Sequence, residues 1–155
     1  MEEIKQGLEA FQAVKRRFEK VGAYRGASVI CDYAHHPREI VSTVKTAQGI
    51  CKGNLYVVFQ PHTYSRTRLL MHEFISALRP VSNLMIFKTY AAREEFEWEG
   101  SGESLAKRIG NCLYCENIYT LKTWLNKTVR EGDLVLFLGA GDIYHIAQYL
   151  VKELK

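Results

Sequence analysis

Apolar residues recur along this chain in two alternating rhythms. Short unbroken runs, Ala27–Cys31, Leu55–Phe59, Leu84–Phe87 and Leu134–Leu138, are bounded by turn-forming residues and predict buried strands. Between them, apolar positions return every three or four residues, the spacing of a helix face. One such stripe begins at Pro37, a favourable first-turn residue, and continues through Ile40, Val44, Ala47 and Cys51. A second comprises Leu69, Leu70, Phe74 and Leu78 and is ended by Pro80. Shorter helices are expected around Ser104–Ile109 and Ile118–Arg130, with a weaker strand near Cys112–Cys115 between them. The last stripe, Ile143, Ile146, Ala147, Leu150 and Leu154, follows the turn Gly139–Asp142. At the other end, Ile4, Leu8, Phe11, Val14 and Phe18 predict a helix over the first twenty residues, stopping around Gly22 and Gly26. Strands and helices that alternate in this way predict an α/β fold: a Rossmann-like three-layer αβα sandwich around a mostly parallel sheet.

The 155 residues suit one domain, with no linker, repeat or low-complexity tract. A composition 47% hydrophobic and 25% charged excludes disorder and disulfide scaffolds. A net charge of +4, from 21 basic and 17 acidic side chains, is too small and dispersed to indicate nucleic acid, and suits an anionic small ligand equally well. No run approaches the ~18–20 apolar residues of a membrane span, and the first residues lack an apolar signal core, so neither membrane nor nucleic acid is expected as a partner and the cytoplasm is the expected location. Cys112 and Cys115 form a lone Cys-x-x-Cys without a second pair or nearby histidine. Reduced, structural thiols are expected, and no metal site.

In a parallel sheet, ligands bind beyond the carboxyl ends of the strands. Three of the loops there carry chemistry. In Asp32-Tyr-Ala-His-His-Pro37, Asp32 accepts hydrogen bonds and His35 and His36 titrate near neutrality; alternatively, Asp32 or His36 caps the helix that Pro37 opens. In Gln60-Pro-His-Thr-Tyr-Ser-Arg-Thr67, Arg66 offers a planar fork for a carboxylate or phosphate, with His62, Tyr64 and Ser65 around it. Arginine at a helix start is disfavoured by the macrodipole unless an anion is present, which favours ligand contact over a solvated role for Arg66 and Arg68. In Gly139-Ala-Gly-Asp142, small residues admit a ligand or neighbouring backbone near a helix N-terminus, or form a tight turn capped by Asp142. It is not a dinucleotide fingerprint, since Tyr144 stands where a third glycine belongs. There is no P-loop and no Gly-x-Ser-x-Gly elbow. A metal hydrolase built on Asp32, His35, His36 and His62 has nothing to fix its geometry.

Asp-Tyr-Ala-His-His-Pro-Arg-Glu-Ile at 32–40 resembles the opening signature of the Mur ligase C-terminal domain. Val14–Glu19, Phe59–Thr67, Tyr90–Glu95 and Gly139–Ile143 resemble further segments of that family in the same order, so the likeness runs almost end to end. The double histidine is similar to the branch that joins L-alanine to UDP-N-acetylmuramate, or to its relative that recycles murein tripeptide. The resemblance implies one domain over residues 1–155, the amino-acid-binding third of a ligase whose UDP-binding and ATP-binding domains are not among these residues. It implies a reaction in which ATP activates a carboxylate as an acyl phosphate that the alanine amine attacks, with Mg2+ held by the central domain, so that this domain is inactive alone and binds no cofactor tightly. By the same resemblance, Arg17 reaches ATP phosphates and Asp32 lies near the ribose, while Tyr33, His35, His62 and Arg66 face the substrates; Tyr64, on the same loop as His62 and Arg66, is counted with the substrate-binding residues. Thr63 stands where some alanine ligases carry arginine, which leaves Arg66 more of the anion contact. A free-standing small-anion or nucleotide-binding module is the alternative from a different class.

Overall fold

A computed structural model describes residues 15–153. Its six-stranded sheet has the order β1-β2-β6-β3-β4-β5, where β1 is Glu19–Tyr24, β2 Ala27–Asp32, β3 Leu55–Phe59, β4 Asn83–Phe87, β5 Leu113–Cys115 and β6 Leu134–Leu138. All neighbours are parallel except β1 and β2, which form an antiparallel hairpin. The helices are α1 (Pro37–Ile50), α2 (Tyr64–Leu69), α3 (Met71–Leu78), α4 (Gly102–Ile109), α5 (Ile118–Thr128) and α6 (Ile143–Lys152).

Side chains on β3 and β6 alternate between two cores because successive strand residues point to opposite faces. Val57, Phe59, Leu134, Leu136 and Leu138 pack with Ile40 and Val44 of α1, Phe74 and Leu78 of α3 and Leu105 of α4. Tyr56, Val58, Val135 and Phe137 pack on the other side with Leu121 and Leu125 of α5 and Ala147 and Leu150 of α6. Both faces of the sheet are therefore covered, as the uninterrupted apolar runs require, and the three-layer expectation holds.

Two expectations change. Ile4, Leu8, Phe11 and Val14 lie outside the described residues, but the predicted helix cannot reach residue 20, because Glu19–Tyr24 is a strand. Arg25 and Gly26, at φ 52° and 83°, make the two-residue turn that folds β1 back on β2. A register shift between Lys20 and Gly22 interrupts the alternation that would have marked the strand. The second correction concerns the segment after β3. The chain is already helical at Tyr64, breaks at Leu70 and restarts at Met71, so Leu69 is 79% exposed rather than on the apolar face.

Candidate functional site

The carboxyl ends of β2, β6 and β3 lie side by side, with Asp32 opposite Leu138 and Leu138 opposite Phe59. The loops that leave them meet. His35 and His62 approach with ring centroids 6.0 Å apart, and His62 stacks on Tyr90 at 5.5 Å. Arg66 places Nη1 3.3 Å from Nδ1 of His62. Because a guanidinium only donates, Nδ1 is the acceptor and the imidazole carries its proton on Nε2. Burial, then the Arg66 charge, then His35 push the His62 pKa below its ordinary value. No carboxylate among the described residues pairs with Arg66, so its fork is available to an external anion.

Next to this cluster lies the loop that precedes β1. Tyr33 donates its backbone N–H to the Arg16 carbonyl at 2.7 Å. Asp32 fastens the same loop, accepting the Phe18 N–H at 2.8 Å through Oδ2 and the Ala34 N–H at 2.8 Å through Oδ1. Arg16 lies between the rings of Tyr33 and Tyr144, 5.2 Å from each centroid, and donates to the Gly141 carbonyl. Arg17 is exposed, 5.5 Å over the Tyr33 ring. Of the two neighbouring arginines, Arg16 is consumed internally and Arg17 faces outward, which fits a phosphate.

The remaining sequence candidates separate. His36 is a cap: its Nδ1 accepts the Arg38 N–H at 3.4 Å while Glu39 accepts the His36 N–H at 3.2 Å, a capping box that opens α1. Tyr64 packs its ring edge-on against Phe96 at 5.5 Å. In the Gly139–Asp142 loop, Asp142 does not cap α6 with its side chain. Gln60, the residue after β3, does that work, accepting the Ile143 N–H at 3.1 Å and donating to Asp142 at 2.7 Å. A Cβ on Gly141 would lie 2.5 Å from Tyr90 Cγ and 2.6 Å from Gln60 Oε1, so the small residues there make room for the protein's own side chains. Cys112 and Cys115 are unpaired, with burial pushing their thiols up to about 11 and about 12.

Sequence reasoning passed over Gln60, Tyr90 and Glu94. Glu94 accepts the Ser65 N–H at 2.9 Å and the Ser65 hydroxyl, lowering its own pKa chiefly through those bonds. Thr63, at φ 64° and ψ 145°, holds a conformation unfavourable for a β-branched residue, next to His62. Its N–H is tied to the Tyr90 carbonyl at 2.9 Å. A groove of about 690 Å3 between α1 and α3 is lined by His36, Val41, Leu70 and His72, and its lining does not include His35, His62 or Arg66. These three stand outside that groove, half-buried on an open rim formed by the loops after β2 and β3. Among the described residues, no three His, Cys, Asp or Glu side chains converge as a metal site, so the donor set does not fit Mg2+.

A model of the Mur ligase glutamate ligase domain matches residues 16–141. The chain belongs to the Mur ligase family. The UDP-N-acetylmuramate–L-alanine ligase of Lachnospira eligens is 44% identical to this Mur ligase domain over 156 residues, covering 98% of the chain and 34% of the relative. The chain thus spans about a third of the length of the curated relatives it matches. Among solved structures, the UDP-N-acetylmuramate–alanine ligase of Thermotoga maritima superimposes with TM-score 0.69 at 27% identity, covering 96% of this chain and 32% of that one. A murein peptide ligase of Psychrobacter arcticus gives 0.73 at 19% identity over 96% of this chain and 32% of its own, which shows the shared fold.

Proposed function

We propose that this Mur ligase domain is the C-terminal, amino-acid-presenting part of a cytoplasmic, ATP-dependent ligase that joins L-alanine to UDP-N-acetylmuramate in peptidoglycan synthesis. The observation that carries the reading is the convergence of Arg66, His62 and His35 on one open rim, with Arg17 beside Tyr33 on the neighbouring loop. An exposed arginine and a rim arginine without a carboxylate partner fit two anions: the phosphates of ATP at Arg17, and the muramoyl carboxylate or its acyl phosphate at Arg66. The likeness to alanine ligases at 44% identity supports alanine as the amine. ATP supplies carboxylate activation. The chain's own residues bind and orient, and the open rim is closed by domains that carry the P-loop, which these 155 residues lack, and the Mg2+ ligands, for which no cluster stands among the described residues.

The test is a ligation assay with the full-length parent enzyme, UDP-N-acetylmuramate and ATP, offering L-alanine or murein tripeptide. Alanine-dependent phosphate release is expected. Turnover with tripeptide and none with alanine would assign the domain to the recycling ligases instead. In the same enzyme, Arg66→Ala is expected to lower kcat/KM at least about tenfold while leaving the melting temperature nearly unchanged.

A further inference from the structure

Arg66 is carried by α2, a helix of only six residues, Tyr64–Leu69. A helix so short does not hold itself, and this one has no local support at its start. Its N-cap, Thr63, makes no side-chain cap and sits in a strained conformation, and its first turn contains no acidic residue. It is also separated from α3 by the break at Leu70, so it does not inherit the rigidity of the longer element. The missing cap comes from a residue 29 positions away. Glu94 accepts both the backbone N–H and the hydroxyl of Ser65, placing a carboxylate at the positive end of α2. The segment that brings it there is strapped along α2 by a Tyr64–Phe96 ring contact, an Arg68–Glu97 ion pair at 2.7 Å and the close seating of Gly100 on the Tyr64 backbone.

We propose that Glu94 is the positioning residue for Arg66: it fixes, from the loop after β4, the six-residue helix that aims the guanidinium at the substrate anion. The proposal rests on the reading of Arg66 as the anion contact. Glu94 itself touches no substrate. It acts by ordering Ser65, and so the turn in which Arg66 sits, while His62 Nδ1 holds the far end of the same side chain. The two anchors together define one direction for the fork, and a guanidinium binds a carboxylate or phosphate in two parallel bonds only when that direction is right.

The experiment is a double-mutant cycle in the full-length ligase, read as KM for UDP-N-acetylmuramate and kcat for alanine addition. Glu94→Ala is expected to raise KM about tenfold with a smaller change in kcat. Glu94→Gln, whose amide oxygen still accepts the Ser65 N–H, is expected to restore most of that loss. Glu99→Ala, which removes the strap's ion pair with Arg108 of α4 and none of the polar bonds between strap and α2, is expected to leave both constants within about twofold of the parent. In an Arg66→Ala background, Glu94→Ala is expected to cost nothing further. If its effect instead adds in full to that of Arg66→Ala, or if Glu94→Ala leaves KM unchanged, the positioning role is overturned. If Arg66→Ala alone leaves kcat/KM unchanged, it is the reading of Arg66 as the anion contact that fails. Melting temperatures of all variants separate misfolding from misplacement, and the Gln variant keeps the test readable should the Ala variant fold poorly.

Discussion

His62 is the most constrained ionisable side chain at the rim. It is half-buried, stacked on Tyr90, faced by His35 and bonded to Arg66, and the Glu94 charge and a backbone hydrogen bond, which favour its charged form, are outweighed. Its folded pKa therefore lies below the ordinary value near 6.5, and the unfolded chain binds the proton first as pH falls. Above about pH 7 both states hold it neutral and stability is unaffected. As pH falls through 6.5 toward the folded pKa, the unfolded state is increasingly favoured. The window lies above the range in which Glu39, Glu94 and Glu153, all with lowered pKa values, begin to protonate. The urea midpoint of the chain is expected to fall between pH 7.5 and 5.5 by more than that of His62→Gln, which has no proton to gain. A steeper decline in the variant would contradict the charge argument. The same residue explains why its neighbour Arg66 is set apart from Arg16 and Arg68. Arg16 is enclosed by two tyrosine rings and Arg68 is paired with Glu97, whereas Arg66 and Arg17 make no ion pair among the described residues.

Between elements, the contact that decides geometry at the rim is Gln60. It is 1% exposed and joins three strand ends: its amide donates to Asp142 after β6 and to the Lys88 carbonyl after β4, while its oxygen caps α6. Gln60→Ala removes all three bonds and leaves the Ile143 N–H and the Asp142 carboxylate without their partner, so a loss of about 2–3 kcal/mol is expected from urea unfolding. A loss below about 0.5 kcal/mol would mean that water replaces the side chain. None of this bridging was legible in the sequence, where the fold largely was. Leu55–Phe59 and Leu134–Leu138 announce strands buried on both faces, and the structure ends them at the same residues. Helix α1 was readable from Pro37 and its apolar stripe, and its cap was one of the readings open for His36, while the Glu39 half of the capping box appears only in the structure. What failed to show was whatever depends on partners distant in sequence. Strand β1 is half-exposed, interrupted by a bulge and held by its hairpin and by α6, so its pattern is weak. Helix α2 is capped by Glu94, and the macrodipole argument that an anion must sit at its start was met by the protein's own carboxylate. Tyr64, by spacing a rim residue, turns toward Phe96 because the strap supplies an aromatic partner there.

For the whole molecule, topology places the chemistry. Strand β6 is inserted between β2 and β3; the loops after β2 and β3 lead to α1 and α3 on one face of the sheet, while the loop after β6 leads to α6 on the other, so the three loops part above a common edge. That edge gathers His35, His62 and Arg66, with the Arg16–Phe18 loop fastened beside it by Asp32. The arrangement suits the proposed binding and orienting of anions, but it lacks what phosphoryl transfer requires. No P-loop backbone cradles a triphosphate, and among the described residues no acidic cluster suits a magnesium ion. The two cores, by contrast, are closed on both faces of the sheet, and no buried side-chain polar atom among the described residues lacks a hydrogen-bond partner. Folding and turnover should therefore separate. The 155-residue chain on its own is expected to unfold in a single cooperative transition, with coincident fluorescence and circular dichroism midpoints, and to release no phosphate from Mg2+-ATP above the buffer rate. Joined to a domain bearing the P-loop, the same chain is expected to support phosphate release that depends on both alanine and UDP-N-acetylmuramate. Magnesium-dependent hydrolysis by the chain alone would show that the rim holds and activates nucleotide without help, and would overturn the division of labour in which this domain only presents the amine and orients the acyl group.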